Sequence, residues 1–385
     1  MGAGQGSMAR SNAKHDGRWV TRTFRVEFTT PAFLGDARQS GAWRTPPFKH
    51  LLREWWRVVY ADQSRYRVDI DAMRRAESAL FGAAADGEGA QSLVRLRLSR
   101  WDDGSLESWD RDPLVHHPEV GERGKEIGAH LYLGYGPLNF NRGTFLGRKE
   151  GKGFVGKRAI DAGEEARLML AFPAMQAEAL DRAFWLIDCY GAIGGRSRNG
   201  WGSILLKGAI EGALPLRDWE QCLDYEWAHA IGKDEQGPLI WGTKRFTDWE
   251  GLMRDLAQIK IGLRTRFILS LNARAGDRQL YRFNKKTKQR EESGISHGSP
   301  QQRHWLSYPI TNHDVSEWRQ KKLRLPNSLR FKVRRDENGK LYGVIFHMPC
   351  KPPRGFRPDT RTLIAVWRQV HQFLDGENSL QRITL

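Results

Sequence analysis

Gly194-Gly195-Arg196-Ser197-Arg198-Asn199-Gly200-Trp201-Gly202 is the stretch that decides the fold. It follows a helix-period run (Ala177, Leu180, Phe184, Ile187) and precedes a strand-like run from Trp201 to Lys207. A helix–loop–strand step is thereby fixed near the middle of the chain. Glycines at four of the nine positions allow positive φ and close approach to backbone N–H groups. Such turns form concave anion-holding nests, and the two arginines add planar, delocalised charge suited to phosphate. The stretch reads either as a backbone cradle for a phosphodiester or as a glycine-rich turn with solvated arginines.

Toward the N-terminus, alternation marks a strand over 21–29 (Phe24, Val26 and Phe28 against Arg25 and Glu27). A helix starts at Pro46-Pro47, residues tolerated in a first turn, and runs to about Tyr60 with Phe48, Leu51 or Leu52, Trp55 and Val59 inward. A second helical piece, 72–81, leads to a strand at 92–100. A third strand at 166–172, a helix at 174–190 and a strand at 201–207 complete a β-α-β-β-α-β order. This is the order of the ferredoxin-like, or RRM-like, fold, interrupted at 101–157 by an insertion of loops with room for a hairpin. The second half repeats the theme more loosely. A capping box (Thr247, Glu250) opens a helix. A strand at 328–335 turns at Asn338-Gly339 into a strand at 341–348, and a last helix follows Pro358. The expected class is α+β, with two ferredoxin-like domains, 9–212 and 213–385, packed together and meeting near Gly212–Pro215.

The chain has 385 residues, with 62 Lys and Arg against 45 Asp and Glu, a formal net charge of +17. That excess suits a polyanion, nucleic acid before an anionic membrane. No helix pairs a basic face with an exposed apolar one, as membrane-surface binding requires. Cys189, Cys222 and Cys350 show no metal spacing, and their odd count fits a reducing cytoplasm. No apolar run reaches transmembrane length. Residues 1–8 look like an expression scar with Met8 as the natural start. The run Asn284–Arg290 is basic and polar.

On the first helix, Lys49, Arg53 and Arg57 are spaced by four and share one stripe. Their rise of about 6 Å per step is comparable with the spacing of phosphates on an extended strand. Trp56 borders the stripe and is placed to stack on a base; the alternative is a solvated basic face with Trp56 in the core. Trp201 is either a second stacking residue or the start of a buried strand.

The runs 30–35 (TPAFLG), 44–49 (RTPPFK), 52–57 (LREWWR) and 77–82 (ESALFG) resemble the N-terminal signature of CRISPR proteins of the RAMP superfamily. Within it the resemblance points to the family of the first-numbered subunit of the type III-B Cmr effector complex. Gly194–Gly202 is similar to the superfamily's glycine-rich loop, and 324–333 (RLPNSLRFKV) resembles the family's C-terminal strand segment. Two positions depart from the pattern. His50 stands where a glycine is usual, and Gly35-Asp36 where paired glycines are usual.

The resemblance implies a non-catalytic, cofactor-free, cytoplasmic subunit of an antiviral-defence ribonucleoprotein. Its partners would be CRISPR guide RNA, target RNA and other RAMP subunits, with no membrane. Lys49, Arg53, Arg57, Arg196 and Arg198 would grip phosphates. Gly194, Gly195, Gly200 and Gly202 would let the main chain approach. Trp56 and Trp201 would stack, and no residue would hold metal. The alternative is a RAMP endoribonuclease cleaving guide precursor or target RNA. Asp36 would then be a metal ligand, or His116 and His117 an acid–base pair. Asp110 and Asp112, which flank Arg111, read as turn formers.

Overall fold

The computed structural model describes residues 19–83, 89–120, 124–265, 278–284 and 289–383, with the side chains of 278–284 and 289–294 set aside. The opening segment 1–8 and Lys285–Lys288 of the basic run lie outside the described residues. The chain is a mixed α/β protein with several small, mostly antiparallel sheets.

In the first half, β1 (Trp19–Phe28) leads to α1 (Thr45–Gln63), α2 (Ile70–Phe81) and β2 (Arg95–Leu98). After the insertion come β3 (Glu165–Pro173), α3 (Ala177–Tyr190) and β4 (Ile204–Lys207). These strands form one antiparallel sheet in the order β2-β3-β1-β4. In the second half, β5 (Ile240–Thr243), α4 (Trp249–Thr265), β6 (Leu329–Arg335), β7 (Leu341–His347), α5 (Thr360–Asp375) and β8 (Leu380–Arg382) repeat the succession. Their sheet, again antiparallel, runs β6-β7-β5-β8. In both halves the spatial order is therefore second, third, first, fourth.

The apolar faces read from the sequence are the buried ones. Phe48, Leu51, Leu52, Trp55 and Val59 of α1 pack with Phe24, Val26 and Phe28 of β1 in one core. Leu252, Leu256 and Ile259 of α4 pack with Phe331 and Val333 of β6 and with Leu363, Val366, Trp367 and Val370 of α5 in another.

Several local expectations are corrected. The last strand of the first half begins at Ile204, because Trp201 and Gly202 still belong to the loop. No Thr247–Glu250 box forms at α4. Asp248 accepts the Gly251 amide at 2.7 Å instead, and the Thr247 hydroxyl is turned onto Asp248. The insertion is more ordered than loops with one hairpin. It contains Leu114–His117 paired with Lys125–Gly128, the short helix Ala129–Gly134, and a three-stranded meander over 138–156. Asp112 organises it by accepting the amides of His130 (2.7 Å) and Leu131 (3.0 Å) and the Thr144 hydroxyl. The insertion also reaches the second half. Arg303 forks onto Glu119 at 2.9 Å, and Trp109, His130, Trp201 and Trp249 share one aromatic cluster.

The two halves meet along β6. Phe331 N donates to Arg198 O (3.1 Å), Val333 N to Ser203 Oγ (2.9 Å), and Thr29 Oγ1 to Val333 O (2.8 Å). Between these bonds the fully buried Lys332 ammonium donates to the carbonyls of Gly191 and Ile204 and, at 3.4 Å, to that of Ile187. Burial pushes this lysine down to about 7.

Several histidines are held neutral by burial: His229 and His313 at about 4, His304 and His371 at about 3. The unfolded chain, with ordinary values of about 6.5, takes up protons that the folded chain refuses. Their contribution to stability is thus present above a pH of about 6.5 and lost as pH falls toward about 3–4. The urea midpoint should fall steadily from about pH 7 to about pH 5; a flat midpoint there would contradict buried neutral imidazoles.

Candidate nucleic-acid interface

The loop over 194–202 sits on the line where the halves join. Asn199 pairs with Phe331 in a parallel bridge. Gly194, Gly200 and Gly202 have positive φ (96°, 92° and 62°), as does Arg196 (61°). A Cβ on Gly202 would lie 2.0 Å from Ile193 O, and one on Gly194 2.8 Å from Phe33 O. These glycines are therefore required by chain geometry and close packing. The amides of Gly195, Asn199, Gly200 and Gly202 donate to Phe33, Arg196, Ser197 and Pro31 carbonyls at 2.9–3.1 Å. These four amides are thus spent on carbonyls of the loop and of the segment Pro31–Phe33, which removes Gly195, Gly200 and Gly202 as amide donors to a phosphodiester.

The stripe on α1 has the expected register but another task. The Arg53 guanidinium reaches Glu77 of α2 at 2.8 Å and that of Arg57 at 2.6 Å. Glu77 is buried. Burial pushes its carboxyl up, and the two guanidiniums outweigh this, so it lies below the usual glutamate range. Lys49 is half-buried and lowered, first by burial and then by Arg53. Arg53 and Arg57 of the stripe are therefore held on a buried carboxylate rather than left free for a polyanion. Trp56, 3% exposed, packs on Tyr60 and Phe81. Trp201, 0% exposed, packs among Phe33, Trp109, His130 and Trp249. Neither is presented to a base, and both stacking assignments are corrected to core.

The loop instead separates two clefts. The larger, about 1140 Å³, lies between the insertion, α4 and the segment 303–327. Arg196, Arg198, Lys260, Arg264, Arg303 and Arg324 line it, with His117, Tyr132 and Tyr135. Among the described residues, Arg196, Arg198 and Arg324 have no ion-pair partner. Arg264 bonds Ser307, Lys260 bonds Asn199, and Arg303 is held by Glu119. Burial lowers Arg196 and, more strongly, Lys260, and Arg264 lowers both further. Cations crowded in this way lower one another's charging and favour an anion between them. The smaller cleft, about 510 Å³, lies on the other side of Ser197 and Arg198 and is walled by the start of α1 and by Arg330 of β6.

Arg264 carries no signal of its own in the sequence, and Arg324 and Arg330, though inside the motif 324–333, are not marked there as site residues. Asp36 holds a tight turn, accepting Arg38 Nε at 2.8 Å and the Ser40 amide at 2.9 Å. His116 faces outward, 3.8 Å from Glu126. His117 is lowered by burial and lines the larger cleft. Among the described residues no three His, Cys, Asp or Glu side chains are grouped to hold a metal. No helix there is long and apolar enough to cross a membrane.

A repeated β-α-β-β-α-β protein with an arginine-lined groove at its seam defines the class. Residues 25–205 match the family model of the RAMP superfamily. No curated protein matches the sequence. Among solved structures, Cmr1 from Pyrococcus furiosus in its apo form is 14% identical, with 87% of this chain and 90% of that chain covered and a TM-score of 0.43. A chain of the type III-B Cmr-beta bound to cognate target RNA is 11% identical, with 92% and 100% covered and a TM-score of 0.43.

Removing the carboxylate that holds the α1 stripe should loosen the α1–α2 packing. Glu77→Gln is expected to cost about 1–3 kcal/mol, toward the lower end because both guanidiniums can turn to water. An unchanged thermal midpoint would show that the pairing adds nothing.

Proposed function

We propose that this protein is a non-catalytic RNA-binding subunit of a type III CRISPR effector complex, most akin to the first-numbered subunit of the type III-B complexes. Its partners are guide RNA, target RNA and neighbouring RAMP subunits. In this reading the two halves are ferredoxin-like domains packed through β6. The observation that carries the reading is the groove on the seam, with Arg196 and Arg198 from the first half facing Arg264 and Arg324 from the second and three of the four unpaired among the described residues. The RAMP match, the +17 charge and the RAMP-like sequence motifs support it.

Binding follows from the side chains. Guanidinium forks take phosphate oxygens in bidentate pairs, fixing the strand's path without reading its sequence. The half-exposed ring of Tyr135 offers a stacking face at the rim. Gly194, Gly200 and Gly202 serve indirectly, by holding Arg196 and Arg198 at the joint. Lys49 remains available at the start of α1, whereas Arg53 and Arg57 brace Glu77.

Arg196→Glu with Arg324→Glu alters two exposed side chains and should leave folding intact. RNA affinity should fall by about tenfold or more, and the slope of log K against log salt should flatten by about 0.7 for each phosphate that the variant no longer neutralises. Equal affinity and slope in the variant would remove the groove from the RNA path. The endoribonuclease reading keeps one foothold, His117 in the groove wall. Labelled RNA incubated with the protein, with and without divalent metal, should stay intact; cleavage that disappears in His117→Ala would reverse the assignment.

A further inference from the structure

The smaller cleft has a composition of its own. Arg44, immediately before α1, Arg198 of the loop and Arg330 of β6 all line it, together with His50, Glu54 and Tyr190. Three separate stretches of chain, from both halves, thus bring guanidiniums to one space. None of the three has an ion-pair or hydrogen-bond partner for its side chain among the described residues. The Nε atoms of Arg44 and Arg330 are moreover buried without any hydrogen-bond partner. A buried, unpaired donor costs about 1–3 kcal/mol, more when charged. Burial, and then the neighbouring charge of Arg198, pushes Arg330 down to about 10. An arrangement in which like charges converge and donors go unpaired is stabilised by an anion that accepts from all of them. The carboxylate in the lining, Glu54, is half-exposed and lies 3.9 Å from His50 Nε2. It leaves room for a neutral donor such as a ribose hydroxyl or a base amino group beside the anion. The volume falls in the ~300–1,000 Å³ range of small-ligand sites.

We propose that this cleft is a phosphate-binding pocket that seats one nucleotide, with Arg44, Arg198 and Arg330 as the phosphate ligands. The second half therefore contributes Arg330 beside Arg44 and Arg198 of the first, with Phe331 also in the wall, and the pocket exists only while the halves are docked. The inference deepens the RNA reading and rests on it only for the source of the phosphate, which is either an RNA strand running on from the larger groove or a free nucleotide.

The test uses the full chain and two probes, a ten-nucleotide RNA and adenosine 5′-monophosphate, titrated against the native protein and against Arg44→Ala with Arg330→Ala. RNA affinity is expected to fall by about tenfold or more in the variant, with the salt slope flatter by about 0.7 for one phosphate. Arg44→Lys with Arg330→Lys keeps charge and fold but loses the planar fork, and should fall between the two; it carries the test if the alanine variant does not fold. Monophosphate bound by the native protein but not by the variant, without any RNA binding, would support the pocket and end the RNA reading. RNA bound equally by native and variant proteins, with the same slope and no difference toward the monophosphate, would overturn the pocket while leaving the groove reading intact.

Discussion

The Lys332 ammonium, buried among the carbonyls of Gly191, Ile204 and Ile187, is the contact on which the rest of the molecule depends. Ile187 and Gly191 lie at the C-terminal end of α3, the negative end of its dipole, and Ile204 opens β4. The Lys332 side chain from the other half ties this helix end to β4. The same strand that brings Lys332 also fixes the loop, through Phe331 N to Arg198 O and Val333 N to Ser203 Oγ. The loop's conformation is therefore a property of the docked pair of halves. Its arginines point where they do because β6 holds the backbone between them.

A second constraint is electrostatic. Acidic partners are spent on structure: Glu77 on Arg53 and Arg57, Glu27 on Arg335 and Lys207, Glu119 on Arg303. On the seam, burial and neighbouring positive charge lower Arg196, Lys260 and Arg330. A field of one sign in a cleft with low-dielectric walls attracts and orients a polyanion.

The sequence carried the fold further than the site. Alternation in β1, β3 and β6 and the apolar face of α1 were legible because they are local and periodic. Alternation separates two faces of a strand but does not say which one meets water. Arg330, Lys332 and Arg334 alternate with Leu329, Phe331 and Val333 along β6, yet Lys332 is fully buried against the first half. The α1 stripe was legible as a stripe, but its partner Glu77 lies on another helix and is placed there only by tertiary packing. Trp56 and Trp201 could be assigned to core or to stacking only once their neighbours were known. Positive φ at Gly194, Gly200 and Gly202 was legible from the glycines, while the use of that geometry, a tight joint against Pro31–Phe33 and β6, depended on segments far along the chain.

The most direct measurement is photocrosslinking of a 4-thiouridine RNA to the intact protein, with the attachment sites mapped by mass spectrometry. A groove built by both halves predicts adducts on the rim around Tyr135 and on the segment 303–327 in the same population of complexes. Adducts confined to the outer face of α1 and α2, around Lys49 and Arg53, with none in the second half, would contradict it.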